Sequence, residues 1–489
     1  MYRIHPKIKI GLLALLSCGL SSCLLGPDFH SPKAPETDSY TAGKSPTKTV
    51  STPAAGKGGK AQHFVVGEDI PAKWWYLFHS EALNDLIKTG IANSPNLASA
   101  QAVLRQAQET LIAQIGTSFY PALSAQMIAE RESFPTTSFG INSPSRVFNL
   151  FNPSLNVSYT LDVFGGARRE VEALRAQVDY EGYELIASYL TLTSNIVTLA
   201  VTVASYEEQI KATRELVKLQ DDELKILKKQ LQLGGASGID VLSQETQVAQ
   251  TRATLPPLEQ NYQKTQHALS VLVGTLPSNN VLPHFDLNKI YLPEHLPVSL
   301  PSALVRQRPD VKASEALLHV ASAQIGVATA NLYPQITLTG SYGWSSNVPN
   351  AMFTSTFATW NYIGTVTQPI FNGGALRAKK REAIAAYEQA AAQYRQTVLQ
   401  AFQNVADTLR ALENDAKALQ AQSLAERTAR KNLNITLRQY RLGGVNYLSL
   451  LAAERQYQQS QISRIQAQAA RYTDTVALFQ ALGGGWWNG

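Results

Sequence analysis

Histidine, cysteine and methionine carry most metal and nucleophilic chemistry, and here they are sparse and scattered. After His5 the histidines are His30, His63, His79, His267, His284, His295 and His319. No two lie at the short spacing that presents paired ligands to zinc, and no cysteine pair accompanies them. Met127 and Met352 are the only methionines after Met1, too few for a relay of soft-metal ligands. The pairs Gly165-Gly166, Gly234-Gly235, Gly373-Gly374 and Gly443-Gly444 lack the lysine and hydroxyl of a phosphate-binding loop. They read as turns. The expectation is therefore no catalytic residue, no metal and no cofactor: a protein that is not an enzyme.

One cysteine does point to chemistry. Arg3, Lys7 and Lys9 precede an apolar run over residues 10–20, followed by Leu20-Ser21-Ser22-Cys23. A basic patch, a short apolar run and small residues make a secretory signal peptide over 1–22, and the run is too short to span a bilayer. Leu-Ser-Ser-Cys resembles a bacterial lipobox, in which the cysteine is acylated. With Cys18 removed in the signal, Cys23 has no disulfide partner, which favours lipidation. Acyl chains would hold the N-terminus at a membrane surface. Leu24 stands where lipoproteins kept in the inner membrane carry Asp, which favours the outer membrane. Residues 31–67 are rich in Pro, Gly, Ser, Thr and Lys, so 23–67 is expected to be a flexible tether.

The chain has 489 residues, 44% hydrophobic and only 16% charged, with a net charge of +6. Acidic and basic residues are interspersed without a block of one sign, which argues against nucleic-acid binding.

The elements repeat. Tyr120-Pro121 recurs as Tyr333-Pro334, Phe164-Gly165-Gly166 as Phe371-Asn372-Gly373-Gly374, and Leu233-Gly234-Gly235 as Leu442-Gly443-Gly444. The spacing of about 210 residues predicts a duplicated half-molecule rather than a solenoid. The first repeat covers about 68–275, with strands at about 122–131 and 153–163 and helices at about 81–117, 167–233 and 239–273. A linking segment covers about 276–300. The second repeat covers about 301–482, with strands at about 335–344 and 359–371 and helices at about 301–331, 375–442 and 447–482; a tail, 483–489, follows. The longest helices would each run about 100 Å, too far to lie within a bilayer.

The strands alternate. Leu155, Val157, Tyr159 and Leu161 interleave with Asn156, Ser158 and Thr160; Ile336, Leu338, Tyr342 and Trp344 with Thr337, Thr339, Ser341 and Gly343. One apolar face and one uncharged polar face suit lipid outside and water inside. Four strands cannot close, and an open edge cannot persist in lipid. Two chains would give eight strands and three would give twelve; the pattern does not choose. The loops at 132–151 and 345–359 would face outside the cell.

In the first long helix, Tyr206, Ile210, Val217, Leu224, Leu227 and Leu231 form one stripe, and Leu216, Leu219, Ile226 and Leu233 another. Two seams need two neighbours, as in a tube wall or a four-helix bundle. Residues 185–206 are charge-free and long enough for a membrane span, but polar residues within them favour packed wall. Pro256-Pro257 should kink the first return helix; Ile465-Gln466 occupies that place in the second copy.

Taken in order, Cys23-Leu24-Leu25-Gly26-Pro27-Asp28-Phe29, Ser94-Pro95-Asn96-Leu97, Leu161-Asp162-Val163-Phe164-Gly165, Gly238-Ile239-Asp240-Val241-Leu242 and Leu255-Pro256-Pro257-Leu258 form a series. It continues through Arg306-Gln307-Arg308-Pro309-Asp310, Gln368-Pro369-Ile370-Phe371-Asn372-Gly373-Gly374, Asn446-Tyr447-Leu448 and Ala481-Leu482-Gly483-Gly484-Gly485-Trp486. The series resembles the TolC-like outer-membrane factors, in particular the lipid-anchored OprM-like branch, over nearly the whole mature chain. The resemblance implies a mixed α+β membrane protein: a homotrimer with a 12-stranded outer-membrane β-barrel continued by a 12-helix periplasmic α-barrel. It implies an exit duct for drugs or other small molecules, partnered by a periplasmic adaptor (membrane fusion protein) and an inner-membrane efflux pump. It also places the gate at the tip, around Gly234, Gly235, Asp240, Gly443 and Gly444. The family's closing leucine falls on Leu448, its aspartate on Ala452 and its following arginine on Arg455, so the aspartate ring is missing here. Two alternatives stay open: a type I protein secretion channel, and a structural lipoprotein without a pore.

Overall fold

In the computed structural model, which describes residues 24–43, 47–135, 144–279 and 282–488, six strands and nine α-helices are named below. The order is β1 (His63–Val66), α1 (Glu81–Asn93), α2 (Pro95–Phe119), β2 (Ala122–Phe134), β3 (Arg146–Leu161), α3 (Gly166–Gln232), α4 (Gly238–Ala253) and α5 (Leu255–Leu272). Then come β4 (His295–Val298), α6 (Pro301–Gln307), α7 (Pro309–Ala330), β5 (Gln335–Trp344), β6 (Ala358–Thr367), α8 (Ala375–Arg441) and α9 (Tyr447–Ala481). The signal segment, Cys23 and the tip of the 132–151 loop (136–143) lie outside the described residues. Contacts divide the chain into two units, one of Met1–Pro32, Val103–Glu181 and Ser314–Tyr394, the other of the remainder.

The first unit holds an antiparallel sheet in the order β2-β3-β5-β6. Register partners in such a sheet share a face, and here the register sorts residues by polarity. Leu123, Val157, Gly340 and Tyr362 form one cross-strand row, and Ala125, Leu155, Tyr342 and Trp360 the next. The neighbouring rows, on the other face, are Ser124, Asn156, Ser341 and Asn361, and Thr160, Thr337 and Thr365. A slip of one residue would exchange the faces. Asp162 starts α3: its carboxylate accepts from the backbone N–H of Ala167 and of Arg168, both at 3.0 Å, and from Arg168 Nε. A negative side chain there satisfies free amides and matches the helix dipole. The residues after Cys23 also dock. Arg169, 2% exposed in its side chain, donates to Leu25 O at 3.1 Å and pairs with Asp28 and Glu172, both at 2.7 Å. Phe29 stacks on His319, whose Nε2 lies 2.9 Å from Glu172.

The second unit has its core around Trp74, Phe78, Leu83, Ile87, Ile196, Tyr472 and Phe479, all nearly inaccessible. The 3₁₀ turn Trp74–Phe78 sets Trp74 5.3 Å from the Phe479 ring. Arg308 pairs with Asp310 through Nη2 at 2.6 Å and donates from Nη1 to Ala481 O at 2.8 Å, and Trp486 Nε1 donates to Gln307 O. These contacts account for the Arg-Pro-Asp and terminal Gly-Gly-Gly-Trp signatures.

Several expectations need correction. The 23–67 segment is not a free tether over 47–66. Thr49, Thr52 and Gln62 are buried, and β1 pairs in parallel with β4, which lies in the expected linker. Its low apolar content is offset by a buried cation: Arg471 donates to Gly58 O, Thr49 Oγ1, Lys60 O and Gln62 Oε1, at 2.9–3.2 Å. The helices expected at 81–117 and 301–331 are each two helices. Pro95 and Pro309 stand first in new ones, where the missing N–H costs nothing. The helix expected at 239–273 breaks at Thr254, with Pro256 in the first turn of α5, whereas α9 runs unbroken. Half of the apolar window in α3 is buried within the protein, and Ile196, Val197, Ala200 and Val201 are wholly inaccessible.

Candidate functional site

Two features stand out, one in each unit. In the first unit the apolar sheet face is open: Leu123, Leu155, Leu338, Tyr342, Trp360, Tyr362 and Val366 are all exposed. A water-soluble protein rarely leaves such a continuous face uncovered, whereas lipid covers one without cost. The sheet ends in β2 and β6, each paired along one edge only among the described residues. The opposite face carries Ser, Thr and Asn without a charge over the rows described above.

In the second unit the two double-glycine turns join α3 to α4 and α8 to α9. Gly234 and Gly443 both have φ of +76°, which strains any residue with a Cβ. Gly235 N donates to Gln230 O at 2.7 Å and Gly444 N to Gln439 O at 2.8 Å, so both helices end in the same glycine-dependent cap. The helices that follow also start alike. Ser237 and Asp240 form a reciprocal capping box, and Asn446 Oδ1 accepts from Ser449 N at 3.0 Å. Leu227, Val241, Tyr447, Leu450 and Leu451 form the buried cluster beneath the turns. Tyr440 and Tyr447 meet there at 5.1 Å.

The expected gate residues sort by face. Gly234, Gly235, Gly443 and Gly444 are exposed in their turns, and Asp240 is partly buried. Leu448, Ala452 and Arg455 are exposed and lie on one side of α9, one and two turns apart, while Tyr447, Leu450, Leu451 and Glu454 are buried. Leu233, Leu442, Ile239 and Leu242 are further exposed apolar side chains at the turns. Cys23 lies outside the described residues.

Two carboxyl pairs escaped the sequence reading. Glu454 stands on the buried stripe of α9, one turn beyond Leu450, beside Glu223 of α3. Asp415 of α8 lies beside Asp474 of α9. The available signal was a lone acid in phase with an apolar stripe, which by itself reads as surface. Burial foremost, with Asp474 adding to it, pushes Asp415 up to about 7, against the pull of Arg471. An acid raised on folding stabilises through the proton it keeps: this is complete below its unfolded value and lost as pH rises through about 7. Asp415→Asn is therefore expected to flatten the fall of thermal stability between pH ~4 and ~7, read as melting temperature against pH. A slope unchanged from wild type would contradict this.

Among the described residues, no group of three or more His, Cys, Asp and Glu could hold a metal ion. His284 pairs with Glu207 at 3.0 Å, and His63 faces His295 across β1 and β4. Neither pair has a third ligand among the described residues.

Comparison with known proteins agrees with this geometry. The family described as outer membrane efflux protein matches residues 86–275 and again 300–484. The chain is 29% identical over 487 residues to the probable efflux pump outer membrane protein TtgC of Pseudomonas putida, covering 97% of this chain and 95% of that one. It is 28% identical over 478 residues to the probable outer membrane lipoprotein SilC of Salmonella typhimurium, covering 96% of each. The solved outer-membrane channel OprN superposes with a TM-score of 0.84 at 24% identity, covering 95% of this chain and 100% of that one. At that identity the likeness establishes a shared mixed helix-and-strand fold.

Proposed function

We propose, because this chain belongs to the outer membrane efflux protein family, that three copies assemble into the exit duct of a tripartite efflux system. The chain is the outer-membrane channel component of such a system and performs no chemistry itself. The observation that carries the shared-barrel reading is the four-stranded sheet, with one exposed apolar face and two edges unpaired among the described residues; the count of three comes from the resemblance to the family. An open edge in lipid leaves backbone groups unsatisfied at several kcal/mol each. Three chains of four strands join edge to edge into twelve and leave none. Leu123, Tyr342, Trp360 and Tyr362 then face lipid, and Asn156, Thr337 and Asn361 face the lumen.

The remaining assignments extend this reading. Residues 1–22 direct export, and Cys23 carries the lipid. The docking of Leu25 and Asp28 on Arg169 supports an N-terminus anchored beside the barrel. The long helices α3 and α8, with α4, α5 and α9 and the short helices α1, α2, α6 and α7, supply four columns per chain to a periplasmic tunnel. Its closed end lies at the double-glycine turns, where Leu448 packs against its symmetry mates. Ala452 stands where the family's aspartate would be, so closure relies on apolar contact rather than a ring of charge.

Energy comes from an inner-membrane pump, reached through a periplasmic adaptor that grips the tip. A photo-reactive residue at Leu233 or Leu442, both more than four-fifths exposed, tests this in living cells. Capture of an efflux adaptor is the expected result. Capture of a protein-secretion adaptor would favour the type I alternative, and an uncaptured tip would count against both.

A further inference from the structure

Glu454 is 3% exposed, on the face of α9 that packs against α3. Its Oε2 accepts from Gln220 Nε2 at 3.2 Å, and its carboxyl stands beside that of Glu223, one turn from Gln220 on α3. Gln244 of α4 donates from Nε2 to the Gln220 backbone carbonyl at 3.0 Å. Three helices thus meet in one buried polar knot just inside the tip cluster. The titratable groups facing it are Glu223 from α3, Asp240 from α4, Tyr440 from α8, and Tyr447 from α9 itself. None of them is basic.

The knot has more acceptors than donors. Among the described residues, Gln220 Oε1, Gln244 Oε1 and Glu223 Oε2 are buried without a donor, and the Tyr447 hydroxyl has no partner. Two ionised carboxylates offer only lone pairs to each other, so these two can bond only if one carries a proton. Out of water and without a nearby cation, two adjacent negative charges repel strongly, and one acid stays neutral. We propose that Glu454 and Glu223 share one proton that fastens α9 to α3, and that its loss loosens the channel's tip. This rests on the tip being the gate of a channel, as proposed above.

Burial foremost, then the hydrogen bond and charge of Glu223, push Glu454 up to about 9, while the Gln220 amide pulls the other way. The proton is therefore held at neutral pH. The stabilisation linked to it is complete below the ordinary glutamate range and disappears as pH rises through about 9. The fastening is confined to one place in each chain. Counting from the double-glycine turns, the second copy has Ala429, Asn432 and Ala453 where the first has Gln220, Glu223 and Gln244. Each protomer would carry one such latch, and only between α3 and α9.

Two measurements on the purified full-length oligomer test the proposal: infrared spectra titrated with pH, and planar-bilayer conductance over the same range. In wild type, a protonated-carboxyl carbonyl band should fade as pH rises through about 9, and current should rise several-fold across that interval. Glu454→Gln keeps the size and hydrogen bonding of the neutral acid. It should lack that band component and hold its neutral-pH current throughout, whereas Glu223→Gln, which leaves Glu454 buried, should keep the band and shift its fading to lower pH. Absence of the component in wild type overturns the shared proton. So does identical alkaline behaviour of wild type and Glu454→Gln. If the component is absent and calcium or a chelator changes the wild-type current alone, a cation bridges the carboxylates, which also overturns the proposal. A Leu448→Ala oligomer recorded alongside separates the two readings. If it conducts while wild type ignores pH, the latch fails; if it too is silent, the channel reading fails.

Discussion

Replacing Arg471 by alanine is expected to release residues 47–62 from the rest of their unit and destabilise the protein by about 3 kcal/mol or more. The guanidinium is wholly inaccessible and holds two backbone carbonyls and two side chains of that segment. Truncation leaves Gly58 O and Gln62 Oε1 buried without that donor, and each unsatisfied one costs about 1–3 kcal/mol, though the costs do not add fully. Burial pulls the arginine down to about 10, still well above neutral, so the side chain is a cation under ordinary conditions. Arg471→Lys should not rescue, because an ammonium cannot reproduce the planar fork. Thermal unfolding gives the magnitude, and hydrogen exchange over 47–62 gives the place. A loss below ~1 kcal/mol, or exchange that stays slow in that segment, would contradict the assignment.

Leu448→Ala is expected to act in the opposite way, with little change in fold stability and a large change in current. The side chain is 59% exposed in a single chain, so truncation removes few contacts within the protomer. If three copies close the tunnel by apolar packing at this position, removing three isobutyl groups opens the narrowest point. Conductance of the isolated oligomer should rise several-fold, with thermal unfolding within about 0.5 kcal/mol of wild type. Unchanged conductance would show that closure lies elsewhere. Because Ala452 brings no carboxylate to the next turn, the open variant should also show weaker cation selectivity than a channel with a ring of acids.

The mixed helix-and-strand character is legible in the sequence for physical reasons. A period of two is hard to imitate by chance across a stretch such as Gln335–Trp344, because every second residue must share one face of the sheet. Glycine pairs mark the turns because few other residues tolerate the left-handed backbone at Gly234 and Gly443. Other features were hidden. Pro95 and Pro309 look like helix breakers when read singly, yet each begins a helix, so two continuous patterns concealed four helices. The segment 47–66 has the composition of a linker. What folds it is a distant arginine and a strand more than two hundred residues away, and neither leaves a local mark. Glu454 was hidden for the converse reason: a charged residue is ordinarily read as solvent-facing, and only the partners Gln220 and Glu223 reveal it as buried. In the candidate site, residue types on the exposed side of α9 were readable from the turn forward. Which side is exposed depends on α3 and α4, whose packing the sequence does not display.

Whether the assembled chain forms a pore is the central question about its function. Single-channel recording of the purified, lipidated, full-length oligomer in a planar bilayer measures this directly. The predicted result is discrete current steps, small for wild type at neutral pH and several-fold larger for Leu448→Ala. A membrane that stays silent with both proteins correctly folded and inserted would contradict it, and would leave a structural lipoprotein in its place.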